Sequence, residues 1–354
     1  MSWEWTPGTL DALSLFLQVR GLCDGPVSAE RIGDGHSNLT YLVRDGTHRI
    51  VLRRPPPPPV PPGAHDMLRE ARLIAALDAT DVPVPSVLAT SDAGEVLDVP
   101  FYVMSLVEGP VVTTATPSPL ETPQARRQIG ESLVDTLADL HAVDWRAAGL
   151  GDLGKPEGFN RRHLNRMGLL VADEDGCPPP QFAAIHRWLD RHAPPESGHA
   201  IVHNDFRVGN VVVAPDEPGR VAAVLDWELA TIGDPLFDVG YFLASVPEPG
   251  VAMTPTAEFG TAMCEDGYPS RRELADRYAR RTGRDLSGLD WYTALALWKL
   301  AVLYEYGRRR AVRGVGDQYY ADSGLVRSFL EAAHDTAGLE PPRFPAKEEI
   351  AETR

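Results

Sequence analysis

The chain has 354 residues, of which 43% are apolar and 24% charged, the balance of a water-soluble globular protein. A formal net charge of −16 argues against nucleic acid as the main partner, because a phosphate backbone needs a basic surface. Three scattered cysteines, Cys23, Cys177 and Cys264, suggest neither a disulfide framework nor a zinc site. The opening MSWEWTPGTLDALSLFLQVRGL lacks the basic flank and long apolar core of a signal peptide. No segment approaches the ~20 apolar residues of a membrane helix, so no membrane partner and a cytoplasmic location are expected. The length allows two packed units, or one large domain with an appendage.

Residues 9–22 have helical spacing, with Leu10, Leu13, Phe16 and Leu17 on one face. A Gly-containing turn follows at 33–37, then strands at 39–44 and 48–53 joined by Asp45-Gly46, a strong hairpin signal. The run PPPPPVPP at 55–62 reads as an extended spacer or loop. A helix is expected at 66–77, and VPVPSVLAT and DVPFYVMSLVEG are strand-like. From residue 118 the pattern turns helical, at 126–141, 182–192, 238–243, 270–282, 292–310 and 318–333. The tail from 341 is polar and expected to fray. A strand-rich first third before a helix-rich remainder gives an α+β fold. It suggests two lobes with a crevice, a common place for ligands.

The chemistry-bearing stretch is IVHNDFRVGN at 201–210. Two β-branched runs after it, 211–214 and 221–225, flank the turn formers PDEPG, which reads as a hairpin. Such a hairpin sets Asn210 beside Asp226, an amide oxygen beside a carboxylate. Hard oxygen donors of this kind suit Mg²⁺, which is usually completed by substrate phosphates. Asp205, five residues upstream, is then a free carboxylate able to orient or deprotonate a hydroxyl. Singly, each of these residues also reads as a helix cap or an ordinary strand end; the joint spacing favours the metal reading.

Three weaker signals precede it. Gly33, Gly35, Ser37 and Asn38 form a turn whose N–H groups could cradle a phosphate, although such turns are usually only turns. Arg53 ends a strand and Glu70 lies on the next helix; they can pair, or both be solvated. The strand FYVM stops at Ser105, where backbone groups could meet a purine or simply begin a loop.

The order of these pieces is that of protein kinases. In detail the chain resembles the aminoglycoside phosphotransferase and choline kinase family, through HNDFRVGN and LDWE. It is most similar to a subgroup that includes the kinase-like domains fused to some acyl-CoA dehydrogenases, through LRRPP, REARLIAAL, VPVPSVL, FYVMSLVEG, LADLHAVD and VLDWELATIGDPLFDVGYFL. The likeness covers roughly residues 25–310. It implies a bilobal protein-kinase-like fold. A small antiparallel-sheet lobe would span 1–104, a hinge 105–108, and a larger, mainly helical lobe 109–340, before a polar tail at 341–354.

The resemblance also implies roles. Asp205 would orient the substrate hydroxyl, and Asn210 and Asp226 would hold Mg²⁺. Glu70 would fix Arg53 against the phosphates of ATP. Ser105 and Val107 would bind adenine through their backbones, with Met104 lining the pocket, and the Gly33–Asn38 turn would cover the nucleotide. His203, Asp238 and His141 would be structural. The implied activity is phosphoryl transfer from ATP to a hydroxyl of a small molecule. Arg53 stands where most kinases carry Lys, and its planar fork pairs differently. That departure supports an alternative, a non-catalytic nucleotide-binding pseudokinase acting as sensor or scaffold. A protein kinase is disfavoured because no APE-type segment follows LDWE. Glu248, Glu258, Glu265 and Asp266 weakly suggest a cationic substrate, whereas six arginines at 271–284 blur that expectation.

Overall fold

A computed structural model describes residues 4–33, 38–57 and 65–344. The architecture is α+β, a five-stranded antiparallel sheet with a mostly helical remainder. The chain divides into two compact units. One comprises Met1–Gly109, Arg146–Leu150 and Ala222–Leu229; the other comprises Pro110–Trp145, Gly151–Val221 and Ala230–Arg354. The LDWE segment, expected with the helical lobe, thus belongs to the sheet-bearing unit. Among the described residues no helix is long and apolar enough to cross a membrane.

In the first unit α1 (Pro7–Val19) precedes β1 (Ser28–Ile32), β2 (Leu39–Arg44), β3 (Arg49–Arg54), α2 (Met67–Leu77), β4 (Val87–Ser91) and β5 (Phe101–Ser105). The sheet order is β1-β2-β3-β5-β4. The β2–β3 turn is built by Asp45, whose carboxylate accepts the N–H groups of Thr47 (2.7 Å), His48 (2.6 Å) and Asp24 (2.6 Å). Those backbone bonds, His48's foremost, hold the Asp45 carboxyl well below the usual range. Strand residues alternate between faces. Tyr41, Val43, Ile50, Leu52, Phe101 and Val103 pack with Leu13, Phe16 and Leu17 of α1. The alternation puts Val51, Arg53, Tyr102 and Met104 on the other face. Register sets Arg53 between Thr40 and Tyr102. Helix α2, capped by Asp66 on the Arg69 N–H (3.0 Å), packs against β4 and β5 and carries Glu70 in its first turn.

The second unit holds α3 (Pro123–Ala142), α4 (Phe159–Val171), α5 (Pro180–Arg191), β6 (Ala200–Val202) and β7 (Val211–Val213). After β8 (Val221–Val224), most of which belongs to the first unit, come β9 (Thr231–Gly233), α6 (Pro235–Ser245), α7 (Pro255–Glu258), α8 (Arg271–Thr282), α9 (Leu289–Val312) and α10 (Ser323–Thr336). Three of these, α4, α7 and β9, were not expected from the sequence. The single helix expected at 318–333 is instead a 3₁₀ turn, Gln318–Ala321, and then α10. Asp322 makes the break, because its side chain caps α10 on the Gly324 N–H at 2.8 Å.

Helix α9 is buried along most of its length, against α4, α5, α6 and α10. Its crossing with α6 depends on Gly240. A Cβ there would stand 2.7 Å from the Thr293 nitrogen and the Tyr292 carbonyl carbon, backbone atoms that cannot swing aside. Alanine is the better helix former by ~1 kcal/mol, but forced overpacking typically costs about 1–3 kcal/mol. Gly240→Ala is therefore expected to lower the midpoint of urea unfolding. An unchanged midpoint would mean that the two helices do not pack this closely.

Candidate active site

The first unit assembles a charged cluster around Arg53. The Arg53 Nε lies 3.2 Å from Glu70 Oε1, Nη1 donates to Thr40 Oγ1 at 3.4 Å, and Nη2 donates to Asp226 Oδ1. Burial works against the Arg53 charge, but Glu70 and Asp226 outweigh it and the pKa is raised. Burial pushes the Glu70 carboxyl, only 1% exposed, upward, and the Arg53 charge pulls it back. The guanidinium is thus firmly charged, and its charge is the largest of the effects that oppose the upward shift of Glu70. Burial and Glu70 keep the adjacent Tyr102 hydroxyl protonated.

Asp226 is placed by the chain around it. The Val224 N–H donates to Pro83 O at 2.8 Å, and the fully buried Trp227 indole donates back to Val224 O at 2.9 Å. Asp226 itself has φ 67°, a left-handed conformation that Asp tolerates better than most residues.

Two of the residues expected at the nucleotide already hold bonds within the protein. The Asn38 side chain is committed to protein: its amide donates to Glu228 Oε2 at 2.7 Å and its oxygen meets His65 Nδ1 at 2.8 Å. Only its backbone is left for a nucleotide. The Ser105 N–H is bonded to Ser86 O at 2.9 Å, and Ser105 Oγ accepts the Ser86 N–H at 2.9 Å. The Val107 N–H has no hydrogen-bond partner among the described residues. Met104 is buried on β5. Gly33 has φ 74°, the left-handed geometry of a turn, whereas Gly35 and Ser37 lie outside the described residues, as does most of the Pro-rich run.

The second unit builds the loop HNDFRVGN. Strand β6 pairs with β9, and the chain then turns at Asn204, φ 67°. Asp238 on α6, fully buried, fixes this turn by accepting the N–H groups of His203 (2.5 Å) and Asn204 (2.8 Å). His203 Nδ1 accepts the Asp205 N–H at 3.2 Å. His141 bridges Tyr278 (2.7 Å) and Asp238 (3.4 Å), and burial lowers its pKa against the pull of Asp238. These three residues are scaffold, not reactants.

The loop presents Asp205 with both carboxylate oxygens occupied. Tyr241 donates to Oδ1 at 2.5 Å, and the Asn210 amide donates to Oδ2 and to the Asp205 carbonyl, each at 2.8 Å. Arg207 Nε stands 3.7 Å from Oδ1. The Asn210 bonds all come from its nitrogen, so among the described residues its amide oxygen accepts none. That oxygen is a hard donor of the kind Mg²⁺ takes, and so, in the first unit, is the one-third-exposed Asp226 carboxylate taken by itself.

In the acidic stretch after α6, Glu258 and Asp266 are exposed, whereas the other two acids face arginines. Glu265 pairs with Arg126 at 2.5 Å and Glu248 faces Arg271 at 3.8 Å. Of the following arginines, Arg277 grips Asp135 with two bonds (2.9 and 2.7 Å) and Arg281 binds Asp139 at 2.6 Å.

Sequence reasoning assigned no role to Arg207, Glu228, Tyr241 or Lys299. For Lys299 there was a signal: a lone cation inside the apolar run ALALWKLAVL. Tyr241 follows Asp238 by three residues on one helix, which puts both toward one side.

The profile of the family described as "Phosphotransferase enzyme family" matches residues 28–292. Acyl-CoA dehydrogenase family member 11 of Rattus norvegicus is 31% identical over 326 residues, covering 89% of this chain and 41% of that protein. Acyl-CoA dehydrogenase family member 10 of Mus musculus is 29% identical over 337 residues, covering 93% and 31%. The chain thus spans well under half the length of these relatives. A crystal structure of a Ralstonia eutropha protein, provisionally named an aminoglycoside phosphotransferase, superposes with a TM-score of 0.74 at 30% identity, covering 93% of this chain and 98% of that one. The aminoglycoside phosphotransferase APH(4)-Ia, in a ternary complex with AMP-PNP and hygromycin B, superposes at 0.55 with 17% identity, covering 92% and 98%. The second likeness is one of fold.

Proposed function

The chain belongs to the phosphotransferase enzyme family, and we propose that it transfers the γ-phosphate of ATP to a hydroxyl group of a small molecule with the help of magnesium. The observation that carries this reading is Asp205: a carboxylate fixed by Tyr241 and Asn210 on a loop braced by Asp238. In this reading Asp205 orients the acceptor hydroxyl and takes its proton as the new O–P bond forms and the bond to the departing ADP oxygen breaks. Arg53, held by Glu70, carries positive charge toward the phosphates, and Val107 offers its N–H to the base. Asn210 through its amide oxygen and Asp226 through its carboxylate would hold the metal, which would supply positive charge to offset that of the phosphates. Catalysis of this kind is mostly positioning and charge stabilisation.

One observation favours the alternative, a nucleotide-binding module without turnover. The Arg53 guanidinium occupies one oxygen of Asp226, and a carboxylate so engaged is a weaker metal ligand. ATP turnover against a panel of hydroxylated metabolites and antibiotics separates the two readings. Calorimetry with Mg-ATP should show one site under either. Asn210→Ala is expected to weaken Mg²⁺-dependent nucleotide binding about 10-fold or more with the fold kept. An unaltered magnesium dependence would remove Asn210 from the metal site.

A further inference from the structure

Lys299 is a buried cation without an ion pair. It sits on α9, is 3% exposed, and among the described residues has no carboxylate within salt-bridge distance. Its Nζ donates to the Asn204 carbonyl at 2.6 Å and lies 4.9 Å from the Tyr241 ring centroid and 5.3 Å from that of Phe237. Burying an ammonium is costly, and a Met or Leu at this point of an otherwise apolar helix would pack at lower cost. Burial pushes its pKa down to about 8, although the Asp205 and Asp238 charges hold it up. A group kept at such cost one residue from Asp205 invites a role beyond packing.

Tyr241 completes the arrangement. Its hydroxyl is bonded to Asp205 Oδ1 at 2.5 Å and its ring is one of the faces over which the ammonium sits. The close crossing of α6 and α9 at Gly240 brings the two side chains together. The Asp205 carboxylate is thus held from α6, while the carbonyl of the preceding residue, Asn204, is held from α9.

Building on the phosphotransferase reading, we propose that Tyr241 and Lys299 are positioning residues that fix Asp205 for receipt of the acceptor proton. Tyr241 holds the carboxylate in one rotamer by its hydroxyl bond. Lys299 pins the left-handed Asn204 turn through its carbonyl and places a positive charge behind the carboxylate. Both keep their own protons throughout; the proton taken from the acceptor stays on Asp205 until water removes it.

The test compares Tyr241→Phe and Lys299→Met with the wild type. Thermal unfolding, calorimetric Mg-ATP affinity and the kcat and KM for ATP hydrolysis, with water as acceptor, are measured for each. Tyr241→Phe removes one oxygen, and Lys299→Met keeps the length of the side chain. Misplacing a reacting group by an ångström can cost ~10², so kcat is expected to fall about 10- to 100-fold. The KM for ATP and the Mg-ATP affinity should stay within about threefold, because neither residue is placed at the nucleotide. Folded, ATP-binding variants with the wild-type kcat would overturn the positioning role alone. A loss of kcat matched by an equal loss of ATP affinity would overturn it too, as general loosening. A wild type that neither binds nor hydrolyses Mg-ATP would instead defeat the phosphotransferase reading, and this inference with it.

Discussion

Arg53→Ala is expected to lose about 3–5 kcal/mol of folding stability, the usual cost of stripping one partner from a buried ion pair. The residue it leaves behind decides the size. Glu70 is 1% exposed and Arg53 is the cation that offsets its burial. Without it, burial and the Asp226 charge are opposed only by the Tyr102 and Trp227 hydrogen bonds, and the Glu70 carboxyl rises further. The penalty should then depend on pH with a definite sign. A carboxyl whose folded pKa lies above the unfolded value, near ~4.3, is tolerated while protonated and costs stability as pH rises through the folded pKa. Relative to the wild type, the variant should therefore recover as pH is lowered from 8 toward 5, by urea unfolding at each pH. Glu70→Gln in the same chain should recover part of the loss at neutral pH, since it removes the stranded charge. A loss below about 1 kcal/mol, the scale of an exposed pair, would show that water reaches Glu70.

That pair was legible because both residues are fixed by local rules: a cation at the end of an alternating strand, and an acid in the first turn of a helix capped by Asp66. Strand β2 was legible to the residue for the same reason, through the Asp45-Gly46 turn. The loop HNDFRVGN stood out by spacing. What stayed hidden depends on tertiary placement. Helix α4 begins at Gly158, which offers no capping side chain, and its sequence FNRRHLNRMGLLV is largely polar. Strand β9 is three residues long and exists through its pairing with β6. The commitment of Asn38 to Glu228 spans 190 positions, and the Ser105 N–H is taken by Ser86 across a strand edge. Lys299 could be seen as odd in its run, but not as a neighbour of Asn204, because that contact requires the α6–α9 crossing at Gly240.

Asp205→Asn bears on the chemical step itself. Asparagine keeps the size of the side chain, and its oxygen can still accept the Tyr241 hydroxyl. It can neither take a proton nor carry the negative charge. The variant should keep its circular dichroism, but its new NH2 group faces the Asn210 NH2 and forfeits that bond, so the comparison is made at matched Mg-ATP occupancy. Phosphoryl transfer to water, or to an acceptor found in the screen, should fall by ~10² or more, the scale expected on removal of a positioned proton acceptor. The decisive measurement is the single-turnover rate of γ-phosphate transfer from Mg-ATP in wild type and Asp205→Asn at equal nucleotide occupancy. The account predicts a rate lower by at least ~10² in the variant; equal rates would contradict it, and would mean that HNDFRVGN is not the catalytic loop.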